Sequence, residues 1–284
     1  MIPENRVGLI GGGSFVGERL RLVLEADGYE TVVFSRQGRK GTISLQTASR
    51  EPVGSLTSWF CLAPIWTLPE HFQLLEKHGA KRLVALSSTS RFTKKLSGCP
   101  SDRSLAARLI EGERQAREWA QSWNCSLIIL QPTLIYGLGQ DKNVVEIARV
   151  IRRFGFFPLF GRGEGLRRPV HVDDVADACY MALRVSAGKM CATYILSGQE
   201  VLTYRSMVER IFAGLGRKPR FVHCPLPVFS LAVRLAGLFP SCRGLTTEMA
   251  VRMNKDQDFD HSAAGVDLGF HPRSFHPQYS DLII

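Results

Sequence analysis

The stretch Ile10-Gly11-Gly12-Gly13-Ser14-Phe15-Val16-Gly17 lies between the apolar segment Arg6–Ile10 and a segment with helical apolar spacing. Glycines at such a junction let a strand turn sharply into a helix, and they let a phosphate group approach the backbone, because they carry no Cβ. In the spacing Gly-x-x-Gly-x-x-Gly, Ser14 occupies the middle position and adds a Cβ there. The stretch predicts a phosphate-binding turn; the alternative is a strand-to-helix turn without a ligand.

A second apolar run, 29–34, follows at the distance expected for a strand-helix-strand unit, and Ser35 and Arg36 stand at its end. A site that selects NAD carries an acidic residue there, which bonds the ribose 2′-hydroxyl. Arg36, followed by Arg39 and Lys40, suits a 2′-phosphate instead. The sequence therefore predicts NADP(H) as the cofactor, with NAD as the alternative.

Strand-like and helical segments alternate along the chain. We predict strands at 41–45, 58–64, 81–86 and 127–130, helices at 69–78 and 104–123, and a polar loop at 91–102. This alternation indicates an α/β fold, a Rossmann-type doubly wound parallel sheet with ligands at the carboxyl ends of its strands. We expect residues 1–165 to form the dinucleotide-binding domain. Residues 166–284 then supply the remaining Rossmann elements and a smaller C-terminal substrate lobe, as one composite unit.

The composition predicts a cytoplasmic protein without a metal site. The chain has 284 residues, 45% of them hydrophobic and 22% charged, and no apolar run approaches the length of a membrane span. The start of the chain runs directly into the first strand, so we expect no signal peptide. The seven cysteines are scattered and form no Cys-x-x-Cys, which predicts reduced, buried thiols. The histidines also lack ligand spacing, so we expect no metal site.

The formal net charge of +10 favours anionic, phosphate-bearing ligands. One alternative is peripheral contact with anionic lipid through the apolar stretch 228–240 and Arg243. A second is nucleic acid, but the sequence shows no motif for it. We expect a small-molecule substrate and no nucleic acid; a homodimer is left open.

Several motifs in order along the chain resemble the extended short-chain dehydrogenase/reductase superfamily, often labelled NAD-dependent epimerase/dehydratase. They are the glycine stretch 11–17, Leu62-Ala63-Pro64, Ser87-Ser88-Thr89-Ser90, the segment 131–137, and the segment 167–176. The resemblance covers nearly the whole chain and implies a function for several positions. The implied cofactor-binding residues are Gly11, Gly13, Ser14, Phe15, Val16 and Gly17 at the pyrophosphate, Arg36 at the 2′-phosphate, Leu62, Ala63 and Pro64 near the adenosine, and Pro132 and Thr133 beside the nicotinamide.

The resemblance also implies Thr89 as the catalytic hydroxyl and Arg167 as a contact to the nucleotide part of a nucleotide-sugar substrate. The sequence differs from the family pattern at the residues that serve as general acid and base. The family uses a Tyr with a Lys four residues later, yet no tyrosine lies between Thr89 and Gln131, and no tyrosine in the chain has this partner. Our alignment places Leu109 near the family's Tyr position and Glu113 near its Lys position, to within one helical turn.

Other candidate residues have a structural interpretation. We interpret Tyr136 as a packing residue, His171-Val172-Asp173-Asp174 as mainly structural, and Glu111 with Glu113 as a solvated helix face. The stretch 252–261 is interpreted as a surface loop, with substrate contact as the alternative.

Two functions from different classes remain. One is an atypical NAD(P)-dependent oxidoreductase acting on a nucleotide-sugar-type or related carbonyl or hydroxyl substrate. The other is a catalytically silent dinucleotide-binding regulator, redox sensor or assembly protein. A reductase held at a membrane is a third, weaker possibility.

Overall fold

A seven-stranded parallel sheet forms the centre of the molecule. In chain order its strands are β1 (Arg6–Ile10), β2 (Glu30–Ser35), β3 (Ile43–Ser44), β4 (Ser58–Cys61), β5 (Arg82–Leu86), β6 (Ser126–Pro132) and, later in the chain, β11 (Cys191–Leu196). Across the sheet their order is β11-β6-β5-β4-β1-β2-β3. The chain starts in the middle, winds to one edge, and returns past β1 to wind to the other. This is the doubly wound α/β fold that the sequence predicts.

The computed structural model describes residues 5–36, 41–45, 56–185, 190–224 and 251–283. Within these residues, three two-stranded sheets lie outside the main one: β7 (Ile135–Tyr136) with β10 (Val170–His171), β8 (Phe157–Phe160) with β13 (Phe221–Cys224), and β9 (Leu166–Arg167) with β12 (Leu202–Thr203). The helices that lie wholly within these ranges are α1 (Phe15–Ala26), a 3-10 helix (Ile65–His71), α2 (Phe72–Lys77), α3 (Ser90–Thr93), α4 (Pro100–Trp123), α5 (Val144–Phe154), α6 (Val172–Val185), α7 (Tyr204–Gly214), and two short helices at Ser262–Leu268 and Tyr279–Leu282.

Helix boundaries differ from the prediction in two places. The helix predicted at 69–78 is a 3-10 helix followed by α2, and Pro69 lies inside the 3-10 segment, where it supplies no N–H for a helical bond. The loop predicted at 91–102 contains most of α3 and the first turn of α4. Proline at the first position of α4 suits a helix start, because that N–H has no intrahelical partner.

Alternate side chains of the sheet point into two different cores, as the period of a strand requires. Val7 and Leu9 of β1 pack with α1 and α6 on one face, whereas Ile10 packs with the 3-10 helix and α4 on the other. A third core holds the small lobe together and joins residues from α5, α7 and the C-terminal segment, including Ile147, Phe212 and Phe275. Its members come from both sides of residue 165, so this lobe is assembled from two separate parts of the chain.

Among the described helices, none combines the length and apolar character needed to cross a bilayer. The apolar segment 228–243 and the pair Arg39 and Lys40 lie outside the described residues.

Candidate functional site

The glycine turn follows β1 at the middle of the sheet, where the winding direction reverses. Gly11 has a φ of +79°, and a Cβ built there would lie 2.6 Å from the backbone nitrogen of Ala63. At Gly17 a Cβ would lie 2.7 Å from the carbonyl oxygens of Gly11 and Gly12. Both glycines are therefore required by the close packing of the turn itself, before any ligand is considered.

Ser14 replaces the middle glycine and caps α1. Its hydroxyl accepts a hydrogen bond from the Gly17 N–H at 3.2 Å, as an N-cap serine does. The amides of Phe15 and Val16 belong to the first helical turn, whose N–H groups have no intrahelical acceptor and favour an anion. Gly13 leaves the space beside the turn open, because a Cβ built there would meet no atom within 4 Å. The turn thus presents amides and an open glycine face.

The loop after β4 lies against this turn. The Leu62 N–H donates to the Ile10 carbonyl at 2.8 Å, and the Leu62 side chain is buried. Ala63 is half-buried and Pro64 exposed. Arg36 is exposed at the end of β2, on the neighbouring strand. The glycine turn, Arg36 and the segment 62–64 therefore follow β1, β2 and β4 at one edge of the sheet.

A cavity of about 1030 Å³ opens between this edge and the small lobe. Its lining comes from distant parts of the sequence: Phe15 at the start of α1, Ser88, Thr89 and Ser90 after β5, Thr133 after β6, Lys94 and Asp102 near the start of α4, Asp141 and Lys142 before α5, Arg167 and Tyr204 from the small lobe, and Arg252 and Lys255 from the C-terminal segment. The predicted substrate and nicotinamide residues Thr89, Thr133 and Arg167 thus share one cavity.

Thr89 is held in place by the neighbouring strand. Its N–H and its hydroxyl both donate to the Pro132 carbonyl, at 3.1 and 3.2 Å. Thr133 is fixed in turn, because its hydroxyl donates to the Arg168 carbonyl at 2.5 Å. The Thr89 bonds tie the end of β5 to that of β6, and the Thr133 bond ties the end of β6 to the residue after β9.

Glu113 corrects our interpretation of a solvated helix face. Its carboxylate is fully buried and accepts from the Ser87 hydroxyl at 2.6 Å and the Gln131 amide at 2.8 Å. It also pairs with Arg91 at 2.8 Å and Arg117 at 3.1 Å. A helix-period pattern does not show which charged residue of α4 faces the sheet. Glu111, two residues earlier, is exposed and pairs with Arg114, as a solvated face requires.

Leu109 and Glu113, the positions aligned with the family's Tyr and Lys, lie away from the cavity. Leu109 is buried in the core between the sheet and α4, and Glu113 is behind the end of β5. Neither lines the cavity; Asp102, in the first turn of α4, does. Asp102 forms an ion pair with Lys94 at 2.8 Å and lies 4.0 Å from Arg252. Burial opposes the ionisation of Asp102, but the hydrogen bond and charge of Lys94, with Arg252, hold its pKa below the ordinary value.

Arg167 is buried, and its guanidinium connects the small lobe to the C-terminal segment. It donates to the carbonyls of Leu166 at 2.6 Å and Lys255 at 2.8 Å, and also to that of Arg252. It lies 5.5 Å from the centre of the Tyr204 ring. Burial lowers the pKa of Arg167 to about 10 and raises the pKa of Tyr204 to about 12. At neutral pH Arg167 therefore stays charged and Tyr204 stays protonated.

Two further interpretations agree with the structure. Tyr136 is buried, with its ring 5.1 Å from His171 and 4.7 Å from Phe275, which confirms a packing role. Asp173 pairs with Arg19 at 2.6 Å, and Asp174 with Arg273 at 2.8 Å, so both tie α6 to other elements. In the stretch 252–261, Arg252 and Lys255 line the cavity, and this placement is compatible with the alternative of substrate contact.

Residues 72–194 match the model of the NAD dependent epimerase/dehydratase family. The matched segment begins with α2 and includes Thr89, Glu113, Thr133 and Arg167. The match covers less than half of the chain. This agrees with the resemblance that the sequence motifs carry.

Relatives of the chain include one curated protein and several solved structures. The mitochondrial NADH dehydrogenase [ubiquinone] 1 alpha subcomplex subunit 9 of Arabidopsis thaliana is 29% identical over 122 residues, 43% of this chain and 30% of that protein. The chain therefore matches less than a third of the length of this relative.

Solved epimerase/dehydratase-type structures share the fold over almost the whole chain. MoeE5 in complex with UDP-glucose and NAD has a TM-score of 0.67 and 19% identity, over 95% of this chain and 94% of that one. UDP-N-acetylglucosamine 4-epimerase from Bacillus cereus has a TM-score of 0.71 and 13% identity, over 98% and 93%. At these identities the likeness establishes the fold.

Sequence reasoning did not find Lys94, Asp102, Asp141, Lys142 and the C-terminal cations as a set. Asp141 accepts from the amides of Asn143 and Val144 at the start of α5, and burial raises its pKa. No spacing in the sequence relates these residues to Thr89. Within the described ranges, no three His, Cys, Asp or Glu side chains come together in a way that would hold a metal ion.

We expect Glu113→Leu to destabilise the protein strongly. The change leaves the guanidinium groups of Arg91 and Arg117 without their shared carboxylate, and breaking a buried ion pair costs about 3–5 kcal/mol. Chemical denaturation measures the free energy of unfolding. Glu111→Leu, on the exposed face of α4, is the matched control and leaves it nearly unchanged. Equal stability of the two variants contradicts the role given to Glu113.

Proposed function

We propose that the chain is an NADP(H)-binding oxidoreductase of the epimerase/dehydratase type with an altered catalytic centre. Its substrate is a nucleotide sugar or a related carbonyl or hydroxyl compound. One observation carries the proposal: Phe15, the first residue of the capped helix after the glycine turn, lines the same cavity as Thr89 and Thr133. A dinucleotide laid from the turn toward β5 and β6 thus ends beside a space for a second molecule.

The residues of the turn fit a dinucleotide pyrophosphate. Gly13 leaves an open approach, and the amides of Phe15 and Val16 supply donors at the positive end of α1. The Ser14 hydroxyl accepts from the Gly17 amide and therefore does not occupy the amides of Phe15 and Val16. Bound there, the cofactor supplies or accepts a hydride at its nicotinamide. Pro132 and Thr133 then flank that end, and Leu62, Ala63 and Pro64 flank the adenosine.

NADP(H) is proposed over NAD(H) because of Arg36. It is exposed at the end of β2, where its guanidinium is available to a 2′-phosphate, and no acidic residue stands there to accept from a 2′-hydroxyl. MoeE5 and the UDP-glucuronic acid 4-epimerase from Bacillus cereus are in complex with NAD, so the proposed preference distinguishes the chain from these two proteins.

The cavity suits an anionic substrate. The cations of its lining, which are Lys94, Lys142, Arg167, Arg252 and Lys255, outnumber its carboxylates, which are Asp102, Asp141 and Glu146. MoeE5, which shares the fold, is in complex with UDP-glucose in one structure and with UDP-glucuronic acid in another. Thr89 is the proposed contact to the reacting oxygen. With Leu109 and Glu113 turned away from the cavity, α4 offers no phenol for proton transfer, a contribution of about 10²–10⁴-fold in enzymes that have it. We therefore expect slow turnover.

We also propose a cytoplasmic location, which the buried free thiols Cys61, Cys125 and Cys179 support.

A catalytically silent dinucleotide-binding protein is the second candidate. The absence of a tyrosine on α4 favours it, and so does the Arabidopsis relative, which is named as a subunit of NADH dehydrogenase. In this case the cavity and cofactor serve regulation or assembly.

Gly13→Val tests the cofactor site. The added side chain projects into open space, so we expect an unchanged thermal midpoint without ligand but loss of NADP(H) binding, since it covers the approach to the pyrophosphate. Gly17→Val is a poorer probe, because its side chain meets backbone atoms and threatens the fold. Calorimetric titration measures the affinity. Normal binding by Gly13→Val places the cofactor elsewhere.

Arg36→Ala tests the choice of cofactor. A charge-assisted bond to phosphate is worth about 1.5–3 kcal/mol, and screening at an exposed site reduces this, so we expect roughly a tenfold loss of NADPH affinity. Affinity for NADH stays unchanged and serves as the internal control. Equal affinities of the unmutated protein for the two cofactors rule out the preference.

Thr89→Val separates the two candidate functions. The change keeps the shape and removes the hydroxyl, so turnover of a nucleotide sugar or carbonyl substrate falls at least tenfold while NADPH affinity is kept. The readout is NADPH oxidation over a panel of such substrates. Turnover that survives the substitution refutes the catalytic role. NADPH binding without turnover on any substrate favours the silent protein.

A further inference from the structure

One face of the small lobe combines exposed cations with exposed aromatic rings. Helix α5 ends with Arg152, Arg153 and Phe154, and Phe156 follows after the left-handed Gly155. The segment before β13 runs beside it, since the Phe157 N–H donates to the Arg220 carbonyl at 2.9 Å and the Arg217 guanidinium to the Ile151 carbonyl at 2.8 Å. We define the basic-aromatic patch as Arg152, Arg153, Phe154, Phe156, Lys218 and Arg220.

The rings of this patch remain in solvent. Phe154 is 57% exposed and Phe156 36%, whereas the next residue, Phe157, is only 5% exposed in the core of the lobe. The two exposed rings lie 6.1 Å apart, and the Arg153 guanidinium is 5.5 Å from the centre of the Phe154 ring. Adjacent exposed aromatic rings mark a surface that gains from being covered.

The charge of the patch has one sign. All four of its cations are exposed, and the sequence contains no Asp or Glu at 147–163 or 210–224. The cations therefore attract a surface dense in negative charge. Because Arg152 and Arg153 lie on the same segment as the two exposed phenylalanine rings, that surface must also accept apolar side chains.

We propose that the basic-aromatic patch binds the surface of an anionic lipid bilayer. Phenylalanine enters the boundary between headgroups and acyl chains, while Arg and Lys meet the lipid phosphates. Each cation close to an anionic membrane raises partitioning roughly fivefold, so four cations and two rings form a usable peripheral anchor. Duplex nucleic acid satisfies the cations but leaves the rings in water. The patch lies outside the cavity lining, so this binding is independent of the proposed reaction.

Vesicle sedimentation with the full chain tests the proposal. We expect binding to phosphatidylcholine vesicles that contain phosphatidylserine and none to pure phosphatidylcholine. Replacing Lys218 and Arg220 by Glu weakens binding at least tenfold. Phe154→Ser with Phe156→Ser also weakens it, whereas Leu22→Ser, at an exposed apolar site on α1, does not.

A charge-matched control separates the patch from net charge. Lys81→Glu with Arg82→Glu, at the start of β5, lowers the formal charge of +10 by four, just as the patch variant does. We expect this control to bind like the unmutated protein. Equal losses in both charge variants overturn the proposal, as does full binding by the patch variant. Absence of vesicle binding together with capture of a single-stranded or duplex oligonucleotide by the patch overturns it in favour of nucleic acid. An unchanged thermal unfolding midpoint in every variant verifies the fold.

Discussion

The close contact between the glycine turn and the loop after β4 is the constraint on which the site depends. Backbone meets backbone here: a Cβ at Gly11 would overlap the Ala63 nitrogen, and one at Gly17 would overlap the carbonyls of Gly11 and Gly12. This packing lets α1 start directly behind β1 at the reversal point of the sheet, and the first turn of α1 then faces the edge where the other strands end. The Ser14 cap preserves the arrangement, because it satisfies the Gly17 amide and leaves the first helical amides available.

A second layer of support lies behind the cavity, at Glu113. One buried carboxylate receives the Ser87 hydroxyl, the Gln131 amide and two guanidinium groups, and so joins β5, β6, α3 and α4. Thr89 and Thr133 follow the two strands that it joins. The chain thus keeps the strand ends of an epimerase/dehydratase fold in register, even though α4 carries no tyrosine.

Cations from the C-terminal segment line one part of the cavity. Arg167 is anchored to the carbonyls of Arg252 and Lys255, which brings the C-terminal segment over the ends of β5 and β6. Lys94 and Asp102 neutralise each other at one side, whereas Lys142 and Lys255 lie elsewhere in the lining. A positive field in a partly enclosed space favours phosphate-bearing ligands, which is the physical link between the basic composition and the proposed substrate class.

The sequence by itself determined the α/β class, the doubly wound sheet and the positions of the glycine turn, Thr89 and Thr133, because each depends on local periodicity or on residues at strand ends. It also revealed that no tyrosine lies between Thr89 and Gln131, because this follows directly from the positions of the tyrosines in the chain. Only the tertiary structure decided that Glu113 is buried while Glu111 is exposed, since helical spacing defines a face but not the element that covers it. The cavity, with Asp102, Arg167 and Arg252 together, and the exposure of Phe154 beside the buried Phe157 likewise depend on contacts between distant segments. No local pattern carries such information, because these contacts form only when the small lobe folds onto the sheet.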